Sequence, residues 1–349
     1  MICQNSNIKA KHFVIATGSS PTIPEIKGLK NVPFLTNETI FNLKEKVDHL
    51  IVMGGGPVGC ELAQAYRFLG SQVTIIQRSH LLKNDEPEWV NVLKNVFIEQ
   101  GIKIYEGLTI ESITQKDKSI EVKFQQNSQS QLISGSHLLV ATGRMPNTSG
   151  LGLEKASVVY DKSGITVDKR LRTSNKRIFA IGDVIKDVKF THIAAYQASV
   201  VLQNILFKRH KAIDRRAVPW VTYTTPQLAH VGLTESQAAD ITKKKHIIIK
   251  EFKDNDRAQA EGKTIGGIKL IATQKGKVLG VSILGNDVDN LVGLWSLVIT
   301  QQLSLDKVAQ LIIPYPTRQE LSKAVAVEFY RPILSSGWLK RLVRFLQWL

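Results

Sequence analysis

The stretch "LIVMGGGPVGCELAQAYRFLGSQVTIIQ" at residues 50–77 restricts the fold of this 349-residue chain more than any other. An apolar, β-branched run leads into a cluster of glycines, a helical pattern leaves it and ends near Gly70, and a second β-branched run follows. That order reads as one βαβ unit, with Gly54, Gly56 and Gly59 giving G-x-G-x-x-G where strand turns into helix. Each glycine has its own physical task. Gly54 permits a tight turn, Gly56 lets backbone approach a pyrophosphate, and Gly59 lets helix and strand pack closely. With Gly55 and Pro57 beside them, they open a helix whose N-terminal amides and positive dipole end face the phosphate.

The end of the second strand bears on which dinucleotide fits. A carboxylate there would accept hydrogen bonds from the ribose of NAD, but this strand ends in Gln77 and Arg78. An amide followed by a guanidinium tolerates and pairs with a 2′-phosphate, so NADPH is expected over NADH. The alternative is that Arg78 is a solvated loop cation and NAD serves equally.

A strand-and-turn occurs twice, as "HFVIATGSSP" at 12–21 and "HLLVATGRMP" at 137–146. The second copy has the glycine turn upstream of it. Only 17 residues precede Gly18 in the first, whereas one βαβ unit takes about 30.

A chain of this length with 43% hydrophobic residues can bury cores for two or three domains. Its net charge of +16 would attract phosphates or an anionic membrane, but no nucleic-acid motif with interleaved aromatics accompanies it, so no nucleic-acid partner is expected. Cys3 and Cys60 are too few and too differently placed for a disulfide framework or a metal site, which points to a reducing, cytoplasmic setting.

With "ATGRMPN" at 141–147, "GITVDKRLRTSNKRIFAIGDV" at 164–184, "THIAAYQAS" at 191–199, "PWVTYTTPQLAHVGLTESQA" from Pro219 and "PYPTRQE" at 314–320, several motifs fall in one order. From about Lys9 to Tyr330 the chain resembles the flavoprotein pyridine nucleotide-disulfide oxidoreductases, the class of dihydrolipoamide dehydrogenase, glutathione reductase and mercuric reductase. The resemblance implies an α/β fold: a Rossmann-like NAD(P) domain inserted in a partial FAD domain, followed by an α+β dimerisation domain. Residues 1–45 would end the first FAD segment, 46–145 form the NAD(P)-binding domain, 146–212 complete the FAD domain, 213–335 form the dimerisation domain of a homodimer, and 336–349 a tail.

The same resemblance assigns residues. Asp183, preceded by Gly182, matches the aspartate that hydrogen-bonds FAD, and Thr191 and His192 match the helix start over the flavin ring. Capping of that helix by the Thr191 hydroxyl is the simpler reading, compatible with the first. Gly143 and Arg144 match the turn flanking NAD(P), although such an arginine can equally pair with a surface acid. Thr17 and Gly18 of the first copy belong to the cofactor-binding set. Tyr315 stands where most of the class carry a catalytic histidine oriented by the glutamate matched by Glu320. A phenol with an ordinary pKa near 10 does not exchange protons as imidazole does. Mercuric reductases share a tyrosine at this place, so the chain resembles that branch, yet no cysteine follows Cys60 to handle a metal substrate. Glu61 matches a glutamate near the flavin whose lysine partner lies beside the class's redox cysteines. Deprived of it, Glu61 would be strained or protonated, or would simply face solvent and favour the helix dipole.

The implied activity is FAD-dependent NAD(P)H oxidation with hydride transfer to the flavin, by a chain lacking the N-terminal FAD fingerprint and the redox cysteines. A separate polypeptide carrying that segment would complete it. The alternative is a catalytically inactive product that at most binds nucleotide and dimerises. The tail "GWLKRLVRFLQWL" places Lys340, Arg341, Arg344 and Gln347 on one helical face, with Trp338, Leu342, Leu346 and Leu349 largely opposite. A basic amphipathic helix of this kind suits the inner face of an anionic membrane, a partner's groove, or its own dimer.

Overall fold

The computed structural model describes residues 2–3, 6–334 and 336–348. Leu349 lies outside the described residues, as does the side chain of Cys3. The chain divides into two compact units: Met1–Glu25, Leu35–Leu43 and Val140–Arg215 in the first, and Ile26–Phe34, Lys44–Leu139 and Arg216–Leu349 in the second. Residues 140–145, expected in the NAD(P) domain, fall in the first unit because Arg144–Pro146 pairs as a strand with Ser19–Pro21. Residues 26–34 fall in the second because the turn at Gly28 lies on the backbone of Ile113, whose N–H donates to the Lys27 carbonyl at 2.9 Å.

The second unit opens with a four-stranded sheet in the order His137–Val140, His49–Met53, Gln72–Gln77, Lys103–Glu106. His49–Met53 runs parallel to Gln72–Gln77, and that strand parallel to Lys103–Glu106. Leu50, Ile51 and Ile75 are fully buried, as expected of parallel strands covered on both faces; each such side chain is worth about 1.5–3 kcal/mol of burial. Helix α1 (Pro57–Phe68) carries the first crossover and α2 (Pro87–Glu99) the second. Helix α1 stops at Gly70, whose φ of +91° is reached readily only without a Cβ. There the N–H of Gly70 donates to Arg67 and that of Ser71 to Tyr66, both at 3.0 Å, the paired bonds of a Schellman end. An antiparallel meander of Leu108–Lys116, Ser119–Gln126 and Gln129–Gly135 follows. Its second hairpin turns through Asn127 and Ser128, both at positive φ.

The first unit joins Phe13–Ile15 in parallel to Ile178–Ala180 and covers them with α3 (Thr191–Leu206). Phe179, Val184, Val200 and Leu171 form its core. The two copies of the repeat meet here. Ser19–Pro21 and Arg144–Pro146 pair antiparallel about Ser20 and Met145, so the segments that follow the two ATG turns are each other's partners.

The remainder of the second unit is an antiparallel five-stranded sheet in the order Pro219–Thr222, Gln227–Gly232, Val278–Gly285, Gly267–Thr273, Lys245–Glu251. Around it lie α4 (Glu235–Ile241), α5 (Asp256–Ala260), α6 (Asp289–Thr300), α7 (Leu305–Ala309) and α8 (Glu320–Leu334), with Trp295 and Phe252 fully buried among Val281, Ile283 and Val325. Helix α9 (Gly337–Trp348) closes the described chain.

Candidate functional site

The glycine turn is built as the sequence predicts. Gly54 turns the chain at φ +119°, and a Cβ on Gly59 would sit 1.9 Å from the Gly54 carbonyl oxygen, so the helix can start only where residue 59 has no side chain. Gly55 is held from the second strand. Its N–H donates to Gln77 Oε1 at 3.0 Å while Gln77 Nε2 donates to Ser79 at 2.9 Å. Gln77 therefore fixes the loop, a role the sequence reading did not give it. At Gly56, which is the N-cap residue with Pro57 at the first helical position, a Cβ would meet nothing within 4 Å. Among the described residues the N–H groups of Gly56, Val58 and Gly59 find no acceptor. Bare backbone, orphan donors and a helix dipole together fit the pyrophosphate of a dinucleotide. Arg78 is exposed at the end of the strand and has no partner among the described residues.

In the first unit the assigned residues assemble around Ser19. Its hydroxyl donates to Asp183 Oδ2 at 2.7 Å and accepts from Arg144 Nε at 2.7 Å, while Arg144 also reaches the Ser19 carbonyl and Asn37 Oδ1. Arg144 thus pairs with acids, Asp183 at 3.8 Å and Glu38 at 3.7 Å. Asp183 follows Gly182, which turns at φ +71° and donates its N–H to Gln197 Oε1 at 2.7 Å. Among the described residues Asp183 Oδ1 has no hydrogen-bond partner. Thr17 and Gly18 are tied to Asn147, whose amide donates to the Thr17 carbonyl at 2.9 Å and whose N–H donates to the Gly18 carbonyl at 2.9 Å. Gly143, at φ +126°, accepts from the Thr22 N–H at 2.9 Å. Thr191 and His192 open α3, but Phe190 is the N-cap and no side chain caps it, so the expected Thr191 cap is corrected: Thr191 is already inside the helix. The His192 ring stacks on Phe190 with centroids 5.3 Å apart.

Glu61 is half-buried and has a partner. Burial raises its carboxyl pKa, opposed by the Tyr223 N–H, which donates to Oε1 at 2.8 Å. One turn further along α1, the buried Gln64 exchanges hydrogen bonds with the backbone of Thr225, both at 2.7 Å. Helix α1 thereby holds residues 223–225. Cys60 is fully buried beneath the turn, and burial pushes its thiol far above the ordinary range, so it is an inert structural thiol.

A polar cluster that the sequence reading missed joins the start of α2 to the C-terminal sheet. Lys269, with 1% of its side chain exposed, donates to Glu86 at 2.8 Å and Glu88 at 2.8 Å, and lies 2.7 Å from Glu235. Burial draws the Lys269 pKa down, but the hydrogen bonds to Glu235, Glu86 and Glu88 outweigh it and hold the ammonium charged. The three carboxylates lie close enough together to share a metal ion, and Lys269 already takes that place. Beside them Asp85 Oδ1 accepts from Trp220 Nε1 at 2.7 Å, and burial pushes the Asp85 carboxyl up to about 6. Trp220 stacks on His230, centroids 4.4 Å apart, whose burial lowers its pKa to about 4 and keeps it neutral.

In the C-terminal motif Tyr315 and Glu320 take different partners. Tyr315 is 70% exposed and donates to Asp256 Oδ2 at 2.9 Å, whereas Glu320 accepts from the Thr317 N–H at 3.1 Å ahead of α8. Glu320 therefore caps the chain turn and does not hydrogen-bond Tyr315. The Asp256 hydrogen bond raises the Tyr315 pKa, so the phenol stays protonated and acts as a donor. A cavity of about 450 Å³ beside it is lined by Arg257, Asn290, Thr317 and Gln319, and by Arg318, which Asp287 and Glu261 neutralise.

Two family descriptions match this sequence: pyridine nucleotide-disulphide oxidoreductase over residues 3–198, and the dimerisation domain of that family over residues 218–326. The chain is 36% identical over 330 residues to a mercuric reductase of Staphylococcus aureus, covering 94% of this chain and 60% of that protein. It thus spans about 60% of that relative's length. A mercuric reductase of Streptomyces lividans is 36% identical over 93% of this chain and 69% of its own, and a dihydrolipoyl dehydrogenase of Chlamydia pneumoniae is 30% identical over 90% and 68%. Among solved structures, the HOCl-induced flavoprotein disulfide reductase RclA of Escherichia coli superposes with a TM-score of 0.84 at 27% identity, covering 92% of this chain and 74% of that one. LpdA of Mycobacterium tuberculosis gives 0.84 at 26%, with 91% and 70% covered. Motif order, glycine turn, paired repeats and these relatives agree, and the chain belongs to the pyridine nucleotide-disulphide oxidoreductase family, on its mercuric reductase-like side.

Proposed function

We propose that the chain serves a flavin-dependent NAD(P)H oxidoreductase that works as a homodimer, holding NADPH at Gly54–Gly59 and FAD in the unit that carries Asp183. When bound, the nicotinamide supplies a hydride and the flavin accepts it. The chain's own part is to hold and orient. Gln77 pins Gly55 so that the N–H groups of Gly56, Val58 and Gly59 point at one phosphate, and Arg78 stands at the strand end where a 2′-phosphate would lie. Ser19 and Arg144 fix Asp183 Oδ2, which leaves Oδ1 to accept from a flavin hydroxyl. The Tyr315 phenol, its proton donated to Asp256, presents an exposed hydroxyl oxygen where most of the class offers an imidazole. Cys60 is too deeply buried to serve as a redox thiol, so this stretch supplies no thiol to an acceptor among its described side chains.

The observation that carries the reading is the bare backbone at Gly56. Because no protein atom lies within 4 Å of its missing Cβ, Gly56→Val is expected to fold normally while filling the phosphate cradle. Calorimetric titration with NADPH should show a loss of about tenfold or more in affinity, worth about 1.4 kcal/mol; unchanged affinity with an unchanged melting temperature would place the nucleotide elsewhere. A second reading, nucleotide binding and dimerisation without flavin turnover, is favoured by the parallel pair Phe13–Ile15 and Ile178–Ala180. Parallel sheets are ordinarily covered on both faces, yet Val14 is 45% exposed. The absorbance spectrum separates the two: a yellow protein bleached by NADPH fits the first, a colourless one the second.

A further inference from the structure

Helix α9 leaves its apolar side chains in water. At about 100° per residue, Trp338, Leu339, Leu342, Val343, Phe345 and Leu346 fall in one arc, while Lys340, Arg341, Arg344 and Gln347 fall in the other. No described residue of the helix is buried; Trp338 is 62% exposed, Phe345 59% and Leu346 58%. A continuous apolar face on a helix, open to solvent, marks a surface that something covers.

Charge decides what covers it. No acidic residue follows Glu328, so a second copy of this helix would bring the same cations against Lys340, Arg341 and Arg344. Anionic headgroups complement them. The spread of charge decides the orientation. Lys340, Arg341 and Arg344 run along one side of α9, so its whole circumference cannot sit among acyl chains, and among the described residues no helix is long and apolar enough to cross a membrane. Trp338 and Trp348 lie at the two ends of α9, and indole rings settle at the level of the headgroups. We propose that α9 is an in-plane anchor that docks this protein on an anionic lipid bilayer, its apolar arc sunk among the acyl chains and its three cations against lipid phosphates.

The test is co-sedimentation of the full chain with vesicles of phosphatidylglycerol and phosphatidylcholine, and with vesicles of phosphatidylcholine alone. The expected result is at least about tenfold stronger partition to the anionic vesicles, weakened by salt, with a blue shift of tryptophan emission. In Leu342→Glu/Phe345→Glu, whose circular dichroism should match the parent, partition should fall by about tenfold or more. Partition unchanged in that variant, or in the chain ending at residue 335, overturns the proposal and assigns lipid contact to the +16 surface at large. Absence of binding to anionic vesicles also overturns it, and if the same variant breaks an oligomer seen by light scattering, the face belongs to a second copy.

Discussion

Arg78 and Asp85 put two consequences of single side chains within reach of measurement. Arg78 is exposed and has no partner among the described residues, so Arg78→Ala should cost no stability. If its guanidinium meets a 2′-phosphate, the variant should weaken NADPH by about tenfold or more and leave NADH unchanged, as paired titrations would show. Asp85 concerns stability. Burial lifts its pKa from 3.8 to about 6, with the neighbouring Glu86 adding to the rise and the Trp220 hydrogen bond opposing it. The folded chain therefore binds this proton more tightly than the unfolded one. Its stabilising share is full below the ordinary value and is lost as pH climbs through about 6. Asp85→Asn keeps an acceptor for Trp220 and cannot titrate, so it should raise stability near neutral pH by up to about 3 kcal/mol. Urea denaturation across this range should show the parent's slope flattened in the variant. Of these residues only Arg78 was legible in the sequence, because its position at a strand end is a local fact; Asp85 acquires its meaning from Trp220, 135 residues away.

Between elements, the cluster at Lys269 ties the start of α2 and the start of α4 to the middle of the C-terminal sheet. Lys269→Met should destabilise the protein by about 3–5 kcal/mol, because Glu86 would be left buried and uncompensated. Adding Glu86→Gln should restore part of that loss, and denaturant midpoints for the single and double variants would reveal the coupling. Periodicity and glycine spacing located α1, its flanking strands and α9, since each is decided by neighbours in sequence. They could not locate Lys269, which reads in "GGIKLIAT" as an ordinary outward lysine. Its carboxylates lie up to 183 residues away. The Ser19 hub escaped notice for the same reason, although the repeat that contains it was visible.

At the scale of the molecule, the family and its order of domains were readable from motifs alone, while the grouping of the chain into two units was not, because it depends on which strands find each other. The antiparallel clasp between Ser19–Pro21 and Arg144–Pro146 has a consequence in time. The contacts that define the first unit join Thr17 to Asn147 across 130 residues and Ser19 to Asp183 across 164. Long-range closures of this kind are slow to form, since loop entropy is lost before contacts compensate it. During synthesis, residues 19–21 must therefore wait, unpaired, until the chain has grown past Pro146, and residues 13–15 until it has grown past Ala180, while the βαβ unit at 49–77 can already close on local contacts. Pulse-labelling hydrogen exchange during refolding should find the Ile51–Val52 amides protected first and those of Val14 and Ser19 among the last. Residues 13–15 would thus be among the last to gain their structure, although they precede the βαβ unit in sequence.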